Sequence, residues 1–274
     1  MLNSQQQAAV YKTDQSLLVL AGAGCGKTRV ITEKMAHLVK QNYCAPDRLF
    51  AITFTNKAAK EMKQRAMAMV NGGELLNIST FHSLGLRLMQ QEIKHTDYHR
   101  GFSILDTSEC QKIILSLLPK GIKKDIANQL QWQISGWKNA ALRPEDVEST
   151  VPMAVEVYRN YLEYMVSINA MDFDDLILQP LWLLAGNAEV KQRWQQLIGY
   201  LMVDEYQDTN TSQYQLVKLL MGRGSHLTCV GDDDQSIYGW RGAQIENLQL
   251  LQHDFPDLAV IKLEQNYRSS SIIL

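Results

Sequence analysis

Leu17-Leu18-Val19-Leu20-Ala21-Gly22-Ala23-Gly24-Cys25-Gly26-Lys27-Thr28-Arg29 passes from an apolar run, through alternating small residues, into a stretch compatible with a helix. The run reads as a buried strand and the small residues as a turn that packs backbone amides into one concavity. That is the geometry that receives phosphate oxygens. Lys27 adds a full positive charge at the turn, and the Thr28 hydroxyl stands where a magnesium ion is ligated. Ala21 occupies the place where the usual pattern has its first glycine. A glycine-rich strand–helix turn that binds nothing is the bland alternative, and Gly26-Lys27-Thr28 following an apolar strand argues against it. The expected nucleotide contacts are therefore Ala21, Gly22, Ala23, Gly24, Cys25, Gly26, Lys27, Thr28 and Arg29.

Strand-like segments at Leu17–Leu20, Leu49–Phe54 and Leu76–Ser79 alternate with helical patterns after Lys27, Asn56 and Thr80. A second alternating region has strand-like Tyr200–Val203, Leu227–Val230 and Val260–Leu263, with helices near Ser212–Met221 and Ile245–Gln252. Apolar strands separated by helices imply a parallel sheet covered on both faces. Between the two regions helical periodicity dominates, as in Cys110–Leu118, Ile126–Trp137, Met153–Ile168 and Leu176–Leu184, and no convincing strand is read. The expected architecture is one α/β domain, 1–84 and 196–274, interrupted by an all-helical insertion, 85–195.

Size and composition fit that reading. The 274 residues are 46% hydrophobic, enough for a substantial core. A net charge of −2 leaves no global basic footprint, so any nucleic-acid surface is a local patch. Cys25, Cys44, Cys110 and Cys229 are scattered without a paired spacing, which points to reduced thiols in a cytoplasmic protein rather than a zinc site or disulfide framework. No signal peptide or run of membrane-spanning length is present. Ser269-Ser270-Ser271-Ile272-Ile273-Leu274 stops as an apolar helical pattern begins, so a longer parent protein is expected.

Tyr200-Leu201-Met202-Val203-Asp204-Glu205 is an apolar strand ending in two carboxylates. In a parallel sheet such strand ends face the ligand crevice, beside the phosphate loop. Asp204 is placed to hold Mg²⁺, and Glu205 to orient and deprotonate the water that attacks a γ-phosphate. Acids that only cap the next helix are the structural alternative.

Longer motifs carry a resemblance. Val203-Asp204-Glu205-Tyr206-Gln207-Asp208-Thr209-Asn210 and Gly231-Asp232-Asp233-Asp234-Gln235-Ser236-Ile237-Tyr238-Gly239-Trp240-Arg241-Gly242 resemble the superfamily 1 DNA helicases of the UvrD/PcrA/Rep group. Leu2-Asn3-Ser4-Gln5-Gln6, Ile52-Thr53-Phe54-Thr55-Asn56-Lys57-Ala58-Ala59, Ser79-Thr80-Phe81-His82 and Gln265-Asn266-Tyr267-Arg268-Ser269 extend it, in family order, over nearly the whole chain.

The resemblance implies a RecA-like P-loop NTPase domain using ATP and Mg²⁺ to move 3′→5′ along single-stranded DNA and open duplex at junctions. It also implies a second RecA-like domain, absent from these residues, that supplies an arginine finger. Replication or repair proteins become possible partners, with a monomer or a DNA-induced dimer both open. By the same resemblance Gln6 bonds the adenine edge, Tyr267 stacks on the base, Arg268 reaches the γ-phosphate and Gln235 senses it. Phe54, Asn56, Lys57, Thr80, His82, Tyr238, Trp240 and Arg241 fall on the DNA side, where base stacking on aromatic faces is tolerant of sequence. From spacing alone, Tyr238 and Trp240 would instead be loop aromatics in a core. A helicase–nuclease motor subunit of the RecB/AddA kind and a non-catalytic nucleic-acid-binding module are the competing readings.

Three further features remain. Asp172-Phe173-Asp174-Asp175 resembles a family element, yet acids opening a helix are stabilised by its dipole, and no catalytic role is assigned. Lys57, Lys60 and Lys63 form a stripe that by default is a solvated helix face. Cys25 replaces the serine common in such loops, and thiol sensitivity beside the nucleotide is expected.

Overall fold

The computed structural model describes residues 2–121, 124–149, 151, 153–232 and 246–268. They form two compact units. The first comprises the described residues within Met1–Phe81, Lys191–Thr209 and Val217–Leu274; the second comprises those within His82–Val190 and Asn210–Leu216.

The first unit is built on a six-stranded parallel sheet: β1 (Leu17–Ala21), β2 (Leu49–Thr53), β3 (Asn77–Thr80), β6 (Tyr200–Val203), β7 (His226–Gly231) and β8 (Ala259–Leu263). The remaining two strands among the described residues, β4 (Ser103–Ile104) and β5 (Ala170–Met171), belong to the second unit. The sheet order is β3-β2-β6-β7-β1-β8, with Ile52 opposite Val203, Thr53 opposite Thr80 and Leu20 opposite Gly231. β2 and β6 are buried at every position, as strands with both faces covered must be. Helices α1 (Ser4–Tyr11), α2 (Lys27–Lys40) and α3 (Asn56–Met67) contribute to the core, where Val30, Ile31, Met35 and Leu38 of α2 meet Leu17, Val19 and Met202. The local sequence fixes their starts. Asn3 and Gln6 form a reciprocal capping box on α1, and the Thr55 hydroxyl accepts from the Ala58 amide at the start of α3.

This arrangement places the C-terminal ends of β1, β2, β3, β6 and β7 along one edge, because all six strands run the same way. The α/β expectation holds, and the strand limits differ from those read in sequence by a residue or two.

The second unit is helical: α4 (Phe81–Gln91, entering the unit at His82), α5 (Thr107–Leu117), α6 (Lys124–Asn139), α7 (Ala154–Ser167) and α8 (Asp175–Gly186). Cys110, Ile114, Leu130, Ile134, Tyr158, Tyr161 and Met165 form its core. Gly85 lets α4 lie against α8, since a Cβ there would fall 1.7 Å from the Leu176 carbonyl oxygen. One difference from the sequence reading stands out: Ser103–Ile104 (β4) and Ala170–Met171 (β5) pair in parallel inside this unit. Two-residue strands are too short to leave a period in the sequence.

A buried polar group organises the helical unit. Lys138 Nζ lies 2.7 Å from both Asp172 Oδ2 and Asp175 Oδ1, and Tyr161 Oη donates to Asp172 Oδ2 at 2.9 Å. The Asp172 and Asp175 amides each donate to the other's carboxylate, Ser135 and Asn139 donate to Asp174, and Asn210 donates to Asn139. Asp172-Phe173-Asp174-Asp175 is thus fully employed within the unit.

Candidate functional site: the phosphate loop and its acids

Between β1 and α2 the chain makes the turn that the sequence predicts. Gly24 and Gly26 have φ of +75° and +86°, values that side chains rarely adopt. Space requires glycine as well. A Cβ on Gly24 would come 2.6 Å from Arg268 Cβ and 2.8 Å from Asn266 Oδ1, and one on Gly26 would come 2.9 Å from Gln6 Nε2.

Three neighbouring donors hold the loop by its carbonyl oxygens. Asn266 Nδ2 donates to Ala23 O at 2.7 Å, the Tyr267 amide to Gly24 O at 3.0 Å, and Gln6 Nε2 to Cys25 O at 2.9 Å. The first-turn amides of α2, which have no intrahelical acceptor, add the donors and partial positive charge that suit an anion.

Lys27 Nζ is buried and 2.8 Å from Glu205 Oε2. The contact is a charge pairing without hydrogen-bond alignment, and the ammonium has no hydrogen-bond acceptor among the described residues. A buried cation with donors to spare fits a phosphate ligand.

Asp204 and Glu205 follow β6. The Asp204 amide bonds Ile52 O at 2.9 Å, and Asp204 is 4% exposed. Burial first, then the charge of Glu205, pushes its carboxyl up to about 7, while bonds from the Glu205 amide and the Thr28 hydroxyl pull the other way. Thr28 and Asp204 are therefore adjacent, as expected of a shared metal. Among the described residues no cluster of three His, Cys, Asp or Glu side chains could hold a metal ion. A hydroxyl beside one carboxylate is a donor set compatible with an oxygen-ligated divalent cation. Glu205 sits at φ +53°, a strained value for a non-glycine residue.

The other expected nucleotide residues are placed as follows. Tyr267 is half exposed, with its hydroxyl donating to Gln265 Oε1 at 2.8 Å and accepting from Asn3 Nδ2 at 2.9 Å. Arg268 lies against Gly24 through its Cβ and backbone. Arg29 is exposed and 3.9 Å from Glu33, one turn along α2. Gln6 is buried with its amide engaged at both ends: Oε1 accepts from the Asn3 amide and Nε2 donates to Cys25 O. The geometry makes it a brace for the loop, which the reading of an adenine contact did not anticipate. The structure does not favour the expected sensitivity of Cys25. Its thiol is buried, and burial together with the charge of Asp232 pushes it above its ordinary value, which suppresses the reactive thiolate.

On the expected DNA side, Phe54 directly follows β2 and Thr80 ends the neighbouring β3, and the Phe54 ring meets Phe81 edge-on at 5.8 Å. Asn56 and Lys57 are exposed at the start of α3, and Lys60 shares that solvated face. Thr80 is buried at the head of α4. His82 belongs to the helical unit, where it stacks on the exposed ring of Phe173 at 4.0 Å. Gln235, Tyr238, Trp240 and Arg241 lie outside the described residues.

Sequence reasoning missed the contributions of Asn3, Gln265 and Gln207. A buried glutamine two residues beyond an acidic pair was the available signal for the last.

Comparison with known families decides the identity of this site's host. Residues 2–256 match the UvrD/REP helicase N-terminal domain. The chain belongs to that family. It is 49% identical over 283 residues to the ATP-dependent DNA helicase Rep of Escherichia coli, covering all of this chain and 42% of that protein. It is 47% identical over 286 residues to Rep of Buchnera aphidicola from Acyrthosiphon pisum, covering 44% of it, and 43% identical over 282 residues to PcrA of Bacillus subtilis, covering 38%. The chain thus spans less than half the length of the curated relatives it matches. Among the described residues no helix is long and apolar enough to cross a membrane.

Proposed function

We propose that this chain is the N-terminal motor half of a Rep-like helicase that hydrolyses ATP to translocate 3′→5′ on single-stranded DNA and open duplex at junctions. The observation that carries the reading is the buried Lys27 ammonium, paired only by charge with Glu205, at the mouth of a glycine-shaped loop beside Asp204 and Thr28. The division into 1–84, 85–195 and 196–274 belongs to the same reading.

In this mechanism the loop amides and Lys27 receive the β- and γ-phosphates, and Arg268, whose Cβ lies against Gly24, reaches the γ-phosphate. Thr28 and Asp204 would hold Mg²⁺, which supplies charge neutralisation at the phosphate oxygens. Entry of the triphosphate draws Lys27 from Glu205 and frees that carboxylate to orient the attacking water. Phosphoryl transfer needs mainly such positioning and neutralisation. Phe54, Asn56, Lys57, Thr80, His82, Tyr238, Trp240 and Arg241 contact the strand along which the motor moves. The arginine finger implied by the family contributes about 10³–10⁵ in rate where it acts. The 274 residues alone are therefore expected to bind nucleotide weakly with negligible turnover.

The test is Lys27→Ala in the full-length protein. A motor loses DNA-stimulated ATPase and translocation together. Retention of both by the variant overturns the reading.

A further inference from the structure

We infer that Gln207 is a positioning residue that keeps the Glu205 carboxylate oriented for hydrolysis by tying it to the end of β7. The inference rests on the reading of Glu205 as the water-orienting acid.

Gln207 is buried in the short turn Tyr206–Asp208 that follows the two acids. Its Nε2 donates to Glu205 Oε2 at 2.9 Å, and its Oε1 accepts from the Asp232 amide at 3.0 Å. An amide is the neutral side chain that donates to a carboxylate at one end and accepts from an N–H at the other. A carboxylate at 207 repels Glu205, and an ammonium has no acceptor for Asp232.

The backbone opposite is cut to fit. A Cβ on Gly231 would come 2.8 Å from Gln207 Oε1 and 3.3 Å from its backbone nitrogen. Gly231 has no positive φ that would demand glycine for conformational reasons, so the close approach of this amide accounts for it.

The hold matters because of what else touches the same oxygen. Among the described residues Glu205 Oε2 has two partners, Lys27 Nζ at 2.8 Å and Gln207 Nε2 at 2.9 Å. Lys27 is the one that a phosphate recruits. Once it leaves, Glu205 stands at φ +53°, partly exposed, without its cation. Gln207 is the partner that stays, so the acid keeps its aim when it begins to act on water.

Three measurements on the full-length protein test this. In the nucleotide-free state, Gln207→Leu is expected to speed hydrogen exchange at the Asp232 amide roughly tenfold, with the β1 amides Leu17–Val19 unchanged as internal controls. In steady-state ATPase with saturating oligo(dT), the same variant is expected to lose about 10- to 100-fold in kcat with KM for ATP within about twofold, the pattern of a misaimed group. Gly231→Ala, which pushes the amide from the other side, is expected to reproduce both effects and carries the test should Gln207→Leu fail to fold. Unchanged Asp232 exchange, unchanged kcat, or a loss confined to KM overturns the inference. A wild-type protein without ATPase removes the reading of Glu205 itself, whereas an active wild type matched by both variants removes only the role of Gln207.

Discussion

Lys27 and Lys138 are both buried lysines set against an acidic pair, and they stand in different units of the molecule. Around Lys138 the charges are matched by close partners. Both carboxylates are 2.7 Å away, Tyr161 and two backbone amides fill the remaining acceptor positions, and the ammonium is wholly inaccessible. Burial alone would pull Lys138 down, but the charges of Asp172 and Asp175 outweigh it and hold it above its ordinary value. Burial likewise raises Asp172, and Lys138 more than reverses it.

Around Lys27 the account stays open. One oxygen of a half-exposed, strained Glu205 is its partner, and its donors lack aligned acceptors among the described residues. Closed charge groups of this kind fix a fold, and open ones await a ligand.

The contrast is most directly broken by exchanging each lysine for a neutral chain of similar length. Lys138→Met leaves two buried carboxylates without their cation, and the expected loss is about 3–5 kcal/mol, read by denaturant unfolding. Lys27→Met removes a charged donor from the phosphate cradle, worth about 1.5–3 kcal/mol, or roughly ten- to a hundredfold in affinity for a fluorescent ATP analogue. Its unfolding midpoint should move far less than that of Lys138→Met. Equal stability losses in the two variants would show that the two groups do the same work.

Glycines sharpen the comparison at a smaller scale. Gly24→Ala forces a Cβ into Asn266 and Arg268 at positive φ, and should cost about 1–2 kcal/mol while loosening the Tyr267 amide in hydrogen exchange. Gly136, within α6, has nothing within 4 Å of an added Cβ, so Gly136→Ala should stabilise by about 0.5–1 kcal/mol.

A different kind of effect is a slope. Lys34, buried on α2, donates to Ala9 O at 2.8 Å and to Lys12 O, and burial brings it down to about 7. Between that value and its unfolded pKa near 10.5 the unfolded chain carries the extra proton, so stability should rise as pH increases through that window. Lys34→Met should flatten the rise in melting temperature from pH 7 to 10, and an unchanged slope would reassign it to other groups.

Much of this was readable from residue order, for reasons that differ between parts. Tyr200–Val203 was legible because a strand buried on both faces is apolar throughout, and Lys27, Thr28, Asp204 and Glu205 because their chemistry ties them to a fixed spacing. The helices were legible through their period, with ends set by local caps such as Asn3 and Asp106. Strand order was not, since nothing in β6 itself says that it lies between β2 and β7. Nor were the two uses of the Gln6 amide, the placement of Gln207 against Gly231, or the raised carboxyl of Asp204. The bond from Gln6 to Cys25 O, the fit of Gln207 against Gly231 and the burial that raises Asp204 all depend on segments distant in the chain, whereas the Gln6 contact with Asn3 is a local capping pattern.

The sheet order bears on how the molecule is made. β1, which leads into the phosphate loop, is flanked by β7 and β8, so Leu17 pairs with Thr228 and Ala259. On a ribosome the loop therefore emerges early and waits through the whole helical segment for its neighbours. Pairings across such separations form slowly, whereas α5, α6 and α7 pack close in sequence and can settle first. A nascent chain halted before Leu263 would carry Lys27, Thr28, Asp204 and Glu205 but lack the Asn266 and Tyr267 donors that hold the loop.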